Sequence, residues 1–139
     1  LITSRKSIFI ASTGKDGSPE ISATPFLKIN AKLYIFISEL AAHTQNIQQS
    51  PTLSIMFAED EQDTKNIFSR KRLSYPCIAK PIHPQHPERE SILDQFEVQQ
   101  GNTISVLRQL PDFHLFEIEV LPGRYIEGFG KAYLAPPPS

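Results

Sequence analysis

The sequence has 139 residues, with 14 Lys and Arg against 15 Asp and Glu, a formal net charge of −1 and a single cysteine. This length fits one domain, and the balanced charge argues against nucleic acid as the main partner, because no basic surplus exists to neutralise phosphates. One cysteine cannot form a disulfide within the chain, and no apolar run reaches the ~20 residues of a membrane span, so we expect a cytoplasmic protein with no membrane partner.

The first third of the chain predicts an antiparallel meander. Ser7–Thr13 and residues 19–26 are β-rich runs separated by a turn that has glycine at both ends, Gly14 and Gly17. That pattern favours a hairpin. A third β-rich run, residues 33–37, follows after another short turn, and such short connections join antiparallel neighbours.

Residues 33–60 predict a strand, a short helix at Ala42–Gln49 and a second strand at Thr52–Ala58. A helix start of this kind offers free backbone N–H groups and suits an anionic group. A surface histidine on a short helix is the competing interpretation of His43. The polar side chains at this junction that predict a cofactor cradle are Ser38, His43, Thr44 and Asn46.

Charge is ordered along residues 59–72, where acids come first and bases last. This order complements a helix dipole and predicts a helix. A strand follows at residues 73–79, and Pro76 indicates a strand near a sheet edge. The basic run Arg70-Lys71-Arg72 is either a solvated helix end or, because it leads directly into a strand, a source of one fixed guanidinium. Arg72 would then pair with a phosphate or a carboxylate.

The last part of the chain predicts two helices and further strands. Pro87 opens the first helix, its apolar stripe is Ile92, Leu93 and Phe96, and Gly101 ends it. A second short helix is expected at residues 103–110 and a strand at 113–121, after which a turn at Pro122-Gly123 leads into residues 124–126 and the chain closes at 128–133. The fold class is therefore mainly β: a β-barrel of six to seven antiparallel strands with α-helical insertions, forming one domain at residues 1–135 before a Pro-rich tail at 136–139.

Two other patterns indicate no strong site. His83 and His86 have an H-x-x-H spacing but no further ligands at workable spacing, so we expect no metal. The Gly128-Phe129-Gly130 motif lacks the third glycine of a dinucleotide-binding fingerprint. No residue is identified as a catalytic acid or base.

Several short motifs, in this order and spacing, resemble the FMN-binding split-barrel superfamily of the pyridoxamine 5'-phosphate oxidases, and within it the haem-utilisation subfamily. The resemblance covers residues 5 to 133. The motifs that carry it are Arg5-Lys6-Ser7, Ala23-Thr24-Pro25-Phe26, Ala42-His43-Thr44-Gln45-Asn46-Ile47 with Ser50-Pro51, Ile67-Phe68-Ser69-Arg70-Lys71-Arg72-Leu73, Leu110-Pro111-Asp112-Phe113 and Gly128-Phe129-Gly130-Lys131-Ala132-Tyr133.

The resemblance implies a homodimer with cofactor sites at the subunit interface. In flavin-binding relatives a lysine at the place of His43 grips the FMN phosphate. Ser38, Thr44 and Asn46 would assist here, with Arg72 as a cationic partner. The cofactor-binding stretch along the flavin ring would be Ala23, Thr24, Pro25 and Phe26.

In haem-binding relatives, His43 and Arg72 match positions on the distal side of the haem, and Asp112 matches an acid that supports the axial histidine. That histidine comes from a C-terminal segment, whereas this sequence ends six residues after Tyr133 without a histidine. We therefore expect FMN as the cofactor and a flavin-dependent oxidoreductase of the pyridoxamine-phosphate-oxidase-like class acting on an unidentified small molecule. The alternatives are a haem-binding or haem-degrading protein and a cofactor-free dimeric scaffold.

Overall fold

A computed structural model of the chain describes residues 1–128 and 131–139. Nine strands and three α-helices are formed by these residues. The strands are β1 (Ser7–Thr13), β2 (Pro19–Pro25), β3 (Leu27–Ile29), β4 (Lys32–Ser38), β5 (Thr52–Ala58), β6 (Arg72–Ile82), β7 (Phe113–Val120), β8 (Gly123–Gly128) and β9 (Lys131–Ala135). The helices are α1 (Ala42–Gln49), α2 (Arg89–Gln100) and α3 (Thr103–Leu107).

The strands form one antiparallel sheet in the order β2-β1-β5-β6-β7-β4-β3, which curls into a half-barrel. The hairpin strands β8 and β9 extend the sheet from β6. The predicted fold class, a mainly β split barrel of antiparallel strands, is confirmed. The described part of the chain exceeds the expected strand number because β3 and the β8–β9 hairpin pair as separate strands.

Two apolar cores lie on opposite sides of β4. Leu33, Ile35 and Ile37 point into the barrel, whereas Tyr34 and Phe36 point to a second cluster beneath α2 and α3. Alternation along a strand places successive side chains on opposite faces, and here both faces are covered. This explains why five consecutive residues of β4 are buried. The predicted stripe of α2 supplies the second core with Ile92, Leu93 and Phe96.

The prediction that Pro76 marks an edge strand is wrong. β6 is central: it pairs with β5 on one side and with β7 and β8 on the other. Pro76 faces Ser54 of β5, and on the other side it lies between Ser74, which pairs with β8, and Cys77, which pairs with β7. The missing N–H therefore falls where the partner strand changes, and costs no ladder hydrogen bond there.

Two further expectations are corrected. Residues 59–72 form two short 3-10 turns, Glu61–Asp63 and Ile67–Ser69, rather than an α-helix. Arg70 Nε donates to the Glu59 carbonyl at 2.6 Å within this segment, and Asp60 pairs with Arg5 of another segment at 2.6 Å. Leu110 lies outside α3 and is 40% exposed, because α3 ends at Leu107.

The outer face of the sheet is the side of β2, β1, β5, β6, β8 and β9 that points away from the barrel interior. Strand register places one row of side chains across all six strands: Ala23, Phe9, Met56, Ser74, Arg124 and Leu134. Apolar side chains here are exposed, with Ile21 71% and Leu134 89% accessible.

None of the helices in the described ranges is long and apolar enough to cross a membrane.

Candidate functional site

Helix α1 is attached to the barrel side of β1 and β2 by two side-chain hydrogen bonds. His43 Nδ1 lies 2.6 Å from Ser22 Oγ of β2, and Asn46 Nδ2 donates to Ser12 Oγ of β1 at 3.1 Å. Residues three apart share a helix face, so both bonds come from one side of α1. The polar face of the helix start is therefore turned toward the sheet.

The polar side chains predicted to contact a cofactor phosphate have local roles. Ser38 Oγ accepts a hydrogen bond from the Leu40 N–H at 3.2 Å, while Asn46 binds Ser12. Thr44 is fully buried, and its Oγ1 has no hydrogen-bond partner among the described residues. These three groups are thus not gathered around one open position, and their contact with a cofactor stays a prediction.

The surroundings of His43 favour its neutral form. Burial lowers the pKa of its imidazole, and the nearby carboxylate of Glu20 opposes this shift more weakly. With Nδ1 bonded to Ser22, the other ring nitrogen, Nε2, is bonded to no described residue. The buried polar side-chain atoms without a hydrogen-bond partner among the described residues are those of Arg5, Thr44 and His114. Since His43 Nε2 is not one of them, it is open to solvent. A neutral imidazole provides one directed hydrogen bond or lone pair but no charge to grip a phosphate.

The stretch predicted to lie along a flavin ring is split between the two faces of the sheet. Thr24 and Phe26 are buried in the barrel, and the Phe26 ring packs edge-on against Phe57 with centroids 5.2 Å apart. Ala23 and Pro25 are exposed on the outer face. Only two of the four side chains can therefore touch a ligand on one face.

Arg72 differs from Arg5 and Arg70 because it has no carboxylate partner among the described residues. Arg5 pairs with Asp60 at 2.6 Å, and Arg70 lies 3.9 Å from Glu61. In the described part of the chain no carboxylate oxygen lies within 4.0 Å of Arg72, whose Nη1 donates to the Arg70 carbonyl at 2.9 Å. This half-buried guanidinium can therefore still bind an anion.

The structure does not bring His43 and Arg72 together within one chain. His43 binds Ser22 on the barrel side of the edge strand β2, whereas Arg72 lies on the outer face of β6. The two strands are three spacings apart, about 14 Å along the sheet. Asp112 lies elsewhere, beside the β4–α1 turn, where its carbonyl accepts the Glu39 N–H at 2.7 Å.

Ser22 and Ser12 were not identified from the sequence. Neither belongs to a motif, and each meets α1 only because the sheet brings a strand 21 or 34 residues away beneath the helix. A serine in an exposed-looking strand carries no local signal for such a contact.

The histidine pair in the β6–α2 loop stabilises its own turns. The Nδ1 atoms of His83 and His86 each accept a backbone N–H two residues later, from Gln85 and Glu88. Within residues 1–128 and 131–139, no three side chains of His, Cys, Asp or Glu form a group that could hold a metal ion. The Gly128-Phe129-Gly130 motif lies partly outside the described residues.

Comparison with known proteins points to one family. Residues 1–127 match the model of the pyridoxamine 5'-phosphate oxidase family. The heme oxygenase HutZ of Vibrio cholerae is 33% identical over 129 residues, covering 93% of this chain and 73% of that protein. A crystal structure of HutZ, described as a heme storage protein, superposes with a TM-score of 0.84 at 30% identity, covering 93% of this chain and 92% of that chain.

A third match extends the likeness to a longer protein. The crystal structure of ChuZ from Campylobacter jejuni superposes with a TM-score of 0.88 at 34% identity. The match covers 97% of this chain and 56% of the ChuZ chain. The chain thus spans little more than half of this relative. The resemblance to the haem-utilisation subfamily is confirmed by these matches.

The expected cofactor FMN and the expected flavin-dependent oxidoreductase are wrong. The relatives that match nearly the whole chain include a protein named for haem rather than for a flavin. The geometry agrees with this correction, because burial favours the neutral form of His43, which is bonded to Ser22 and so offers no fixed charge to a phosphate.

Proposed function

The chain belongs to the pyridoxamine 5'-phosphate oxidase family, and from this premise we propose that it binds haem, either as a substrate or as cargo. The observation that carries the proposal is the 33% identity to a heme oxygenase over 93% of the chain. Being a member of a family named for an oxidase does not decide between degradation and storage. For either role, the side chains of the site have to suit the chemistry of haem.

The available side chains suit the chemistry of haem, which joins an apolar macrocycle to two propionates and an iron. Arg72 is a guanidinium without a carboxylate partner among the described residues, and it can pair bidentately with a propionate. Register places it beside Ile126 and, one strand further, Ala132 on the outer face. An anion-binding group bordered by apolar side chains matches one edge of a haem.

We propose further that the haem site lies between two copies of the chain. His43 and Arg72 lie on opposite sides of the sheet, so one chain cannot direct both at one ligand. The outer face exposes apolar side chains, including Phe9 and Ile21, that a second copy would cover. Because β2 is the edge strand of the sheet, a dimer through this face would place the β2 edge of one copy, with its His43, next to Arg72 of the other at the rim of the interface.

When bound, haem would supply an iron able to activate dioxygen once a reductant is present. The residues of the chain would bind and orient it. Arg72 would hold a propionate, and the neutral His43 would direct Nε2 at the bound group without adding charge. The apolar outer face would exclude water from the macrocycle.

The test is a spectroscopic titration of the purified protein with haem, with FMN titrated in parallel. We expect a Soret band that shifts and saturates at one haem per chain, and a weaker response in His43→Ala. Gln49→Ala, an exposed change on the same helix, is the matched control. No saturable shift at micromolar haem would contradict the proposal.

The same complex distinguishes degradation from storage. Addition of ascorbate in air should bleach the Soret band if haem is a substrate, with a tetrapyrrole product identified by mass spectrometry. A Soret band that persists, with haem recovered intact, assigns a carrier or storage role. Catalase in the reaction removes free peroxide, so that bleaching by peroxide in solution is not mistaken for catalysis.

A further inference from the structure

The hydrogen bond between His43 and Ser22 uses Nδ1 of the imidazole ring. The other ring nitrogen, Nε2, is the one that is open to solvent. Ser22 Oγ lies 2.6 Å from His43 Nδ1 in a half-buried position. A neutral imidazole carries one proton, and the partner of one nitrogen decides which nitrogen holds it. Ser22 can therefore select the chemistry that Nε2 presents.

Counting hydrogen-bond donors favours one direction for this bond. If Ser22 donates to Nδ1, its hydroxyl proton is used and the ring proton resides on Nε2, where solvent can accept it. In the reverse arrangement, Nδ1–H donates to Ser22 and the serine proton has no acceptor among the described residues. An unused donor in a half-buried position costs more than an unused lone pair of a hydroxyl oxygen.

We propose that Ser22 is a positioning residue whose hydroxyl donates to Nδ1 of His43, keeping the ring proton on Nε2. In the part that concerns haem, this inference rests on the proposed function. His43 then acts toward the bound group as a hydrogen-bond donor and not as an iron ligand, since a protonated Nε2 has no lone pair to share.

The first experiment uses the protein without haem. Long-range proton–nitrogen correlation spectra of 15N-labelled protein report which nitrogen of each histidine is protonated. We expect His43 in a single form with the proton on Nε2. In Ser22→Ala we expect a mixture of the two forms, and in Ser22→Thr, which keeps the hydroxyl, the original form. Ser12→Ala is the matched control, because it removes the Asn46 contact and leaves His43 Nδ1 bonded.

Wild-type protein with the proton on Nδ1 would overturn the proposal, and so would a Ser22→Ala ring spectrum equal to that of the wild type. The wild-type spectrum decides even if Ser22→Ala fails to fold. Ser22→Thr then serves as the folded variant, its fold checked by the dispersion of amide signals.

The second experiment measures haem affinity in a double-mutant cycle. We expect Ser22→Ala to weaken haem binding by up to about tenfold, the size of one net hydrogen bond, and to have no further effect in a His43→Ala background. Equal effects of Ser22→Ala in both backgrounds would contradict a role through His43. If no variant binds haem, the proposed function fails, while the ring spectrum still tests the tautomer.

Discussion

Three arginines near the end of β5 differ in what surrounds their charge. Arg5 has Asp60 at 2.6 Å, and this hydrogen-bonded pair raises the pKa of the guanidinium and lowers that of the carboxyl. Arg70 reaches Glu61 and the Glu59 carbonyl. Arg72 has a carbonyl partner only, among the described residues. Of the three, Arg72 is the one whose charge is available to a ligand.

The replacement Arg72→Gln should weaken haem binding by about tenfold or more. A charge-assisted hydrogen bond contributes roughly 1.5–3 kcal/mol, and each ~1.4 kcal/mol is a factor of ten in affinity. Lys71→Gln removes the same charge from the exposed neighbouring residue and should leave affinity within about twofold. The measurement is the Soret titration at constant ionic strength. Equal losses in the two variants would show that only overall charge matters.

At the scale of elements, the start of β8 depends on the absence of a side chain. A Cβ built on Gly123 would lie 2.0 Å from the Ser74 carbonyl oxygen and 2.7 Å from the Tyr75 ring. Ser74 is the residue through which β6 pairs with Arg124 of β8. The close approach of the two strands at this point therefore requires glycine. This approach sets the position of the β8–β9 hairpin against β6, and with it the position of Leu134 on the outer face.

Gly123→Ala should lower the free energy of unfolding by roughly 1–3 kcal/mol, because an added methyl group forces the two strands apart. Gly14→Ala is the control, since the nearest atom to its added Cβ lies at 3.3 Å and small adjustments of the turn can relieve the contact. Urea unfolding followed by circular dichroism gives both values. A Gly123→Ala variant as stable as Gly14→Ala would contradict the geometry described for this crossing.

At the scale of the whole molecule, the proposed dimer would account both for the apolar outer face and for the separation of His43 from Arg72. A second copy would cover the exposed side chains and would complete the site. Phe9 is 42% exposed at the middle of this face, and Ile21 is 71% exposed on the adjacent strand. Arginine and exposed apolar groups together favour an interface.

The double change Phe9→Asp and Ile21→Asp should yield a monomer by light scattering at micromolar concentration, because burying two carboxylates opposes association. Haem binding should fall with it. The control is Val98→Asp, which places the same charge at a residue of α2 that is 86% exposed and distant from this face. Wild-type protein that is monomeric and still binds haem would contradict a site between subunits.

Sequence patterns were sufficient for most of the local structure. β1, α1 and β5 begin and end at the predicted residues, and the apolar stripe of α2 points into the second core as expected. These elements follow from periodicity, glycine and proline, which act over a few residues. The helix expected at residues 59–72 does not form: Arg70 turns back to the Glu59 carbonyl within the segment, and Asp60 pairs with the distant Arg5, a contact that no local pattern contains.

The family could also be identified from short motifs, since their order along the chain is a property of sequence alone. What those motifs could not indicate is which atoms meet. His43 is recognisable in the sequence, but its partner Ser22 is not, because only the folded chain brings β2 beneath α1. Arg72 was equally visible, yet its lack of a carboxylate partner depends on where Asp60 and Glu61 lie in the folded chain. Hydrogen bonds and charge compensation act through space between distant segments, so the tertiary structure is required to assign them.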